Sequence, residues 1–187
     1  MAKRIQQPYK ISPDELNGDL MTYFNWSANA LVPVNPGGAD RFLKENRSSI
    51  LKTSQKLLRQ IGYVPRPIYR GVILKEAVDT ILPHKNLEYL SFSSALSVAE
   101  HFADINGFGS EHTDVGQQLG THGYVIEYSP RITEVLFHYH LLSVLPYAQA
   151  FNRLGMNGTQ EVEGLKRQRE IMILQPAQPF TNIQRRG

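Results

Sequence analysis

Apolar positions recur at helical spacing before residue 62 and at strand spacing after it. Ser12-Pro13-Asp14-Glu15 has a serine three residues ahead of a glutamate, with proline at the first helical position. That pattern is a capping box and predicts a helix carrying Leu16, Leu20, Tyr23 and Phe24 on one side, although Gly18 interrupts it. Pro33 to Asp40, with Pro36-Gly37-Gly38, reads as a loop. Asp40 can cap a second helix ending near Gly62. At about 100° per residue, Leu43, Ile50, Leu57 and Ile61 fall on one face and Arg41, Lys52, Lys56 and Arg59 on the other. The basic face reads as a solvated surface or, more sharply, as a phosphate-contacting stripe.

The period then changes. Ile68–Leu74, Leu87–Phe92 and Gly123–Tyr128 read as strands. Ser97-Val98-Ala99-Glu100 is a second capping box, predicting a helix to about Ile105 with Val98 and Phe102 packed inward. Residues 106–120 are Gly-rich and polar, the composition of a mobile loop. Val135 to Leu154 reads as a strand and then a short helix around Pro146. Gly155, Asn157-Gly158 and Gly164 mark residues 155–167 as a loop. It delivers the chain to Gln168-Arg169-Glu170-Ile171-Met172-Ile173-Leu174, a buried strand whose polar start emerges at a sheet end. The tail after Pro176 reads as irregular. Helices followed by strands predict an α+β fold.

Composition narrows the chemistry. The 187 residues fit one domain, 1–187, with an N-terminal arm and helices over 1–62 and a core over 65–176. Hydrophobic content of 41% is enough to build a core. The absence of cysteine excludes a disulfide framework, a cysteine nucleophile and thiolate metal sites. No run reaches the length of a membrane span, and Met1-Ala2-Lys3-Arg4 opens no apolar leader, so the expectation is a soluble cytoplasmic protein with no membrane partner. A net charge of +3 permits a polyanionic partner.

Three stretches carry candidate chemistry. Arg70 sits in a strand at Tyr69-Arg70-Gly71; Ser91-Phe92-Ser93-Ser94 ends a strand ahead of a helix; Glu170 opens a late strand. Singly, each has a structural explanation: an edge-strand ion pair, a turn with its cap, a solvated strand end. In this order they resemble the Arg–Ser–Glu class of mono-ADP-ribosyltransferases, the class of C3-like and pierisin-like toxins. The resemblance covers about residues 65 to 176 and implies a split antiparallel β-sandwich with N-terminal helices beside it.

The resemblance also implies roles. NAD would be the co-substrate, with no metal. Glu170 would stabilise the oxocarbenium-like ribose that forms as the glycosidic bond breaks, as a carboxylate does in glycosidases. Arg70 would hold the pyrophosphate, and Gly71 would bring backbone groups to the nicotinamide amide. Ser91 would hydrogen-bond Glu170 and fix its rotamer. Phe92 would pack in the site wall, with Ser93 beside it in the cofactor-binding run. Phe108 lies in the loop that such enzymes use near phosphate or nicotinamide.

Two positions before Glu170 stands Gln168, where arginine-modifying members carry a glutamate. Two residues apart in a strand, Gln168 and Glu170 would face the same cleft. A glutamine pairs with an amide or a base edge, which makes a nucleic-acid base (RNA ahead of DNA) the leading acceptor and a protein Asn or Gln side chain the alternative. Glu161-Val162-Glu163 spells the arginine-type motif and reads as part of a substrate-contacting loop. His138-x-His140 has no nearby third ligand and reads as structural, and Gly107-Phe108-Gly109 lacks a third glycine. By analogy with its class, such a protein would be a toxin or anti-phage effector with an antitoxin-like partner. The reading from another class is a catalytically silent nucleic-acid-binding module on the same fold.

Overall fold

A computed structural model describes residues 9–32, 37–82, 87–104 and 122–186. The Gly-rich stretch with Phe108 and Gly107-Phe108-Gly109, residues 1–8 of the basic arm and residues 33–36 of the Pro36 loop lie outside the described residues. The chain divides into two compact units, neither of them continuous: Met1–Gly62 with His138–Arg167, and Tyr63–Phe137 with Gln168–Gly187.

The first unit is helical. The Ser12 box forms, with the Glu15 carboxylate accepting the Ser12 N–H at 2.7 Å, but it closes only a 3-10 turn over Pro13–Glu15. The helix α1 starts afresh at Gly18 and runs Gly18–Leu31. α2, Gly38–Gln60, begins at Gly37, whose φ of +74° suits a glycine. It buries Leu43, Ile50 and Leu57 as the periodicity predicts and leaves Lys52, Lys56 and Arg59 exposed. After a 3-10 segment over Tyr139–Ser143 come α4, Tyr147–Arg153, and α5, Gly158–Gln168; α3, Leu96–Ala103, belongs to the second unit. The core is aromatic: Trp26, Tyr23, Tyr147 and Phe151 are fully enclosed. Phe24 meets the Tyr147 ring at 5.1 Å, and the Tyr147 hydroxyl lies 2.8 Å from that of Ser27. That pairing lets a phenol be buried without stranding its polar end.

The expectation of a loop over 155–167 is corrected by α5. Glycine suggested a break, but Gly158 is there for space: a Cβ would strike the Ala148 carbonyl, with the carbonyl carbon 2.7 Å away. The Asn157 side chain accepts the Gln160 N–H at 3.2 Å, the bond of an N-cap.

The second unit holds most of a six-stranded sheet in the order β4-β5-β2-β1-β3-β6. Its strands are β1 Ile68–Leu74, β2 Tyr89–Ser93, β3 His122–Tyr128, β4 Val135–His138, β5 Glu170–Leu174 and β6 Ile183–Arg186. The ladders β1–β2, β1–β3, β2–β5 and β3–β6 are all antiparallel. β6 corrects the expectation of an irregular tail. The sheet is also one sheet rather than a separate pair, but its seam is thin. β1 registers with β3 over seven residues and β2 with β5 over five, whereas β1 and β2 share a single pair, Tyr69 with Ser93.

α3, Leu96–Ala103, lies on β1 and β3. Gly71 and Gly123 let it approach, since a Cβ on either would collide with the Ala99 or Ala103 carbonyl oxygen. Its N-cap is Ala95 rather than Ser97, and its buried residues are Ala99 and Ala103, not Val98 and Phe102. Small residues suit the close approach, and the larger side chains are left to another use.

Candidate active site

The thin seam follows from the strands themselves. After Tyr69–Ser93 no further β1–β2 pair forms, so the sheet opens between them. A cavity of about 220 Å³ is lined there by residues of β1 (Tyr69, Arg70, Gly71), β2 (Ser91, Phe92, Ser93), α3 (Val98, Ala99, Phe102) and the start of β5 (Gln168, Glu170). Three stretches far apart in sequence are thereby brought together, because β2 lies between β1 and β5.

The Arg70 and Glu170 side chains are held in place. Arg70 Nη1 donates to the Ser91 carbonyl oxygen at 2.5 Å, anchoring the guanidinium across the seam. The Ser91 hydroxyl hydrogen-bonds the Glu170 carboxylate. Burial pushes the Glu170 carboxyl above its ordinary range, and the Ser91 hydroxyl and the Arg70 charge only partly pull it back. Burial likewise lowers the Arg70 guanidinium from its ordinary value, opposed by the Glu170 charge. Two half-buried groups of opposite sign thus share one pocket, each raising the cost of neutralising the other.

The junction into β5 is not a strand. Gln168 is the last residue of α5, and Arg169 adopts a left-handed conformation with φ +51° before β5 starts at Glu170. Strand alternation therefore does not orient Gln168; helix and turn geometry do, and both Gln168 and Glu170 still line the cavity. Left-handed backbone at a non-glycine costs about 1–2 kcal/mol. Hydrogen bonds fix it: Ser93 Oγ donates to the Gln168 carbonyl at 2.7 Å, and the Ser94 N–H to the Arg169 carbonyl at 3.2 Å. Ser93 Oγ also accepts the Ala95 N–H at 3.0 Å, so one buried hydroxyl joins the end of β2, the start of α3 and the approach to Glu170.

Phe92 is buried against Tyr128 and Phe180, with ring centroids 6.1 and 6.0 Å away, and supports the wall from behind. Gly71 has a packing reason to be glycine apart from any ligand. Glu161 and Glu163 lie on α5 in the helical unit, where Lys166 Nζ meets Glu163 Oε1 at 2.9 Å. His138 ends β4 and His140 sits in the 3-10 segment; the His138 ring accepts the His140 N–H at 3.3 Å. Burial, with His140 nearby, pushes His138 down to about 3, so it stays neutral. Among the described residues no group of three His, Cys, Asp or Glu side chains could hold a metal ion.

No protein-family model, curated protein or solved structure matches the chain. The cavity offers a fixed cation able to hold an anion, beside a half-buried carboxylate able to stabilise a developing positive charge. Tyr69, Val98 and Phe102 complete its apolar part. The i,i+4 spacing of Val98 and Phe102 was visible as one helix face, but nothing local distinguished a cavity wall from a core. Among the described residues no helix is long and apolar enough to cross a membrane.

Proposed function

We propose that the chain is an NAD-dependent mono-ADP-ribosyltransferase whose acceptor is a nucleic-acid base. The observation that carries the reading is the convergence of Arg70, Ser91 and Glu170 on one cavity at the parting of β1 and β2. The specific fold proposed is the split sheet of that enzyme class. The cavity is smaller than the roughly 300–1,000 Å³ of a pocket for a drug-sized ligand, which suits the nicotinamide–ribose half of NAD and leaves the remainder in the open cleft.

Arg70 binds the pyrophosphate; among the described residues only one of its five donors is committed to a protein oxygen. Glu170, held by Ser91, stands against the ribose as it becomes cationic, so its charge stabilises the transition state more than the ground state. Val98 and Phe102 exclude water from the reacting bond. Gln168, exposed at the cavity edge, meets the acceptor, and its amide has both donor and acceptor faces for a base. The exposed cations on α2 and the net charge of +3 favour a polyanion over a protein side chain as the acceptor.

The test is to incubate the protein with NAD labelled in its adenylate half and with separate RNA, DNA and protein pools. Label is expected in nucleic acid. Glu170→Gln should lower transfer about a hundred- to a thousand-fold while Glu163→Gln leaves it intact. Gln168→Ala should lose transfer yet retain slow nicotinamide release. Label confined to a protein band would move the acceptor to an Asn or Gln side chain; an active Glu170→Gln enzyme would end the assignment of the carboxylate.

A further inference from the structure

The helical unit contains a groove of about 700 Å³ between the segment leading into α1 and the C-terminal half of α2. Lys52, Lys56 and Arg59 line it from α2, and Tyr9 and Asp19 from the other side. The three cations fall within an arc of about 60° at 100° per residue, with Lys52 and Lys56 about 6 Å apart along the axis. Among the described residues no salt bridge engages any of them. Among the described residues lining it Asp19 is the one carboxylate, and it already accepts the Ser49 hydroxyl at 2.8 Å. Tyr9 is 56% exposed, which leaves a large aromatic surface uncovered beside a row of cations.

We propose that this groove binds single-stranded nucleic acid, with phosphates along Lys52, Lys56 and Arg59 and an unstacked base on Tyr9. A row of cations alone would serve a duplex or an acidic peptide equally. The aromatic face selects a strand whose bases are free to stack, because base pairs in a duplex already cover their faces. The groove adds a binding site to the transferase reading and rests on it only for its purpose, that of holding the acceptor; binding itself is measured without NAD.

The experiment uses the full chain carrying Glu170→Gln, so that no transfer occurs. Fluorescein-labelled oligouridine and oligothymidine of about twelve nucleotides, and a hairpin duplex of similar length, are titrated by anisotropy over a salt series. Both single strands should bind more tightly than the duplex. The Lys52→Glu/Lys56→Glu/Arg59→Glu variant should lose about two units of slope in log affinity against log salt, the release expected from three neutralised phosphates. Tyr9→Ala should weaken binding about five- to a hundred-fold at unchanged slope, and Tyr9→Phe should restore it. Circular dichroism should report the same folded signal as the Glu170→Gln parent for the groove variants, since Tyr9, Lys52, Lys56 and Arg59 are exposed. Undiminished binding by the charge-reversed variant, a preference for the duplex, or binding of polyglutamate but not of the oligonucleotides would overturn the proposal. A wild-type chain that binds the strand but releases no nicotinamide would overturn the transferase reading and leave the groove standing.

Discussion

Replacing Ser91 by alanine tests whether that hydroxyl does more than pack. Its hydrogen bond favours the charged form of Glu170, whose carboxyl burial otherwise drives upward. A hydrogen bond to a charged group is worth about 1.5–3 kcal/mol. Its loss therefore raises the Glu170 pKa further, because burial is then opposed by the Arg70 charge alone. Water entering the space of the lost hydroxyl returns part of this without changing its direction. The sign follows from the proposed chemistry. Only the carboxylate stabilises the ribose cation, so the rate climbs as pH rises through the Glu170 pKa. In the wild type that limb already lies above the ordinary value of 4.5, because burial outweighs Ser91 and Arg70. Ser91→Ala should move it higher still. The assay is the initial rate of nicotinamide release at saturating NAD from about pH 4 to about pH 8. The two rate profiles should differ most on the acid limb and converge at the alkaline end. An unmoved limb with a rate lowered equally at every pH would show that Ser91 only packs. A limb moved to lower pH would refute the electrostatic argument outright.

Two further substitutions probe the same cavity. Arg70→Ala should weaken NAD affinity about ten- to a hundred-fold by calorimetric titration, with Arg70→Lys recovering only part, since an ammonium lacks the planar fork; equal affinities would remove Arg70 from the phosphate role. Gly71→Ala should destabilise the protein by about 1–3 kcal/mol, seen as a fall of a few degrees in Tm, because α3 must lift off β1; an unchanged melting curve would show that the helix yields without cost.

Individual elements differed in how far local pattern revealed them. β1 has the same bounds, Ile68–Leu74, in the sequence reading and in the structure, since β-branched residues there are punctuated by Pro65 and Pro67. α2 was legible because Leu43, Ile50 and Leu57 repeat every seven residues and all three are buried. α5 was hidden by Gly158 and Gly164, which signal flexibility locally but, at Gly158, answer a crowding by Ala148 that no local pattern contains. The Gln168–Glu170 junction misled for a related reason. Arg169 bears no mark of a left-handed residue, and it is the Ser93 hydroxyl, 75 positions away from Gln168, that holds the turn.

By itself the sequence determined the α+β class, the stretches able to bury apolar surface, and the residue types available for chemistry: an arginine in a strand, serines ending another, a glutamate opening a third. It could do so because side-chain periodicity and capping are local. What only the tertiary structure decided is which of these meet. The order β5-β2-β1 sets Ser91 between Arg70 and Glu170, and the single Tyr69–Ser93 pair leaves a seam where a cavity can form. Periodicity tells a strand which of its faces to bury but not which strand lies beside it. Partner and register come from non-local packing and backbone pairing. The same packing sends Val98 and Phe102 to the cavity instead of the core, because Gly71 and Gly123 draw Ala99 and Ala103 onto the sheet in their place.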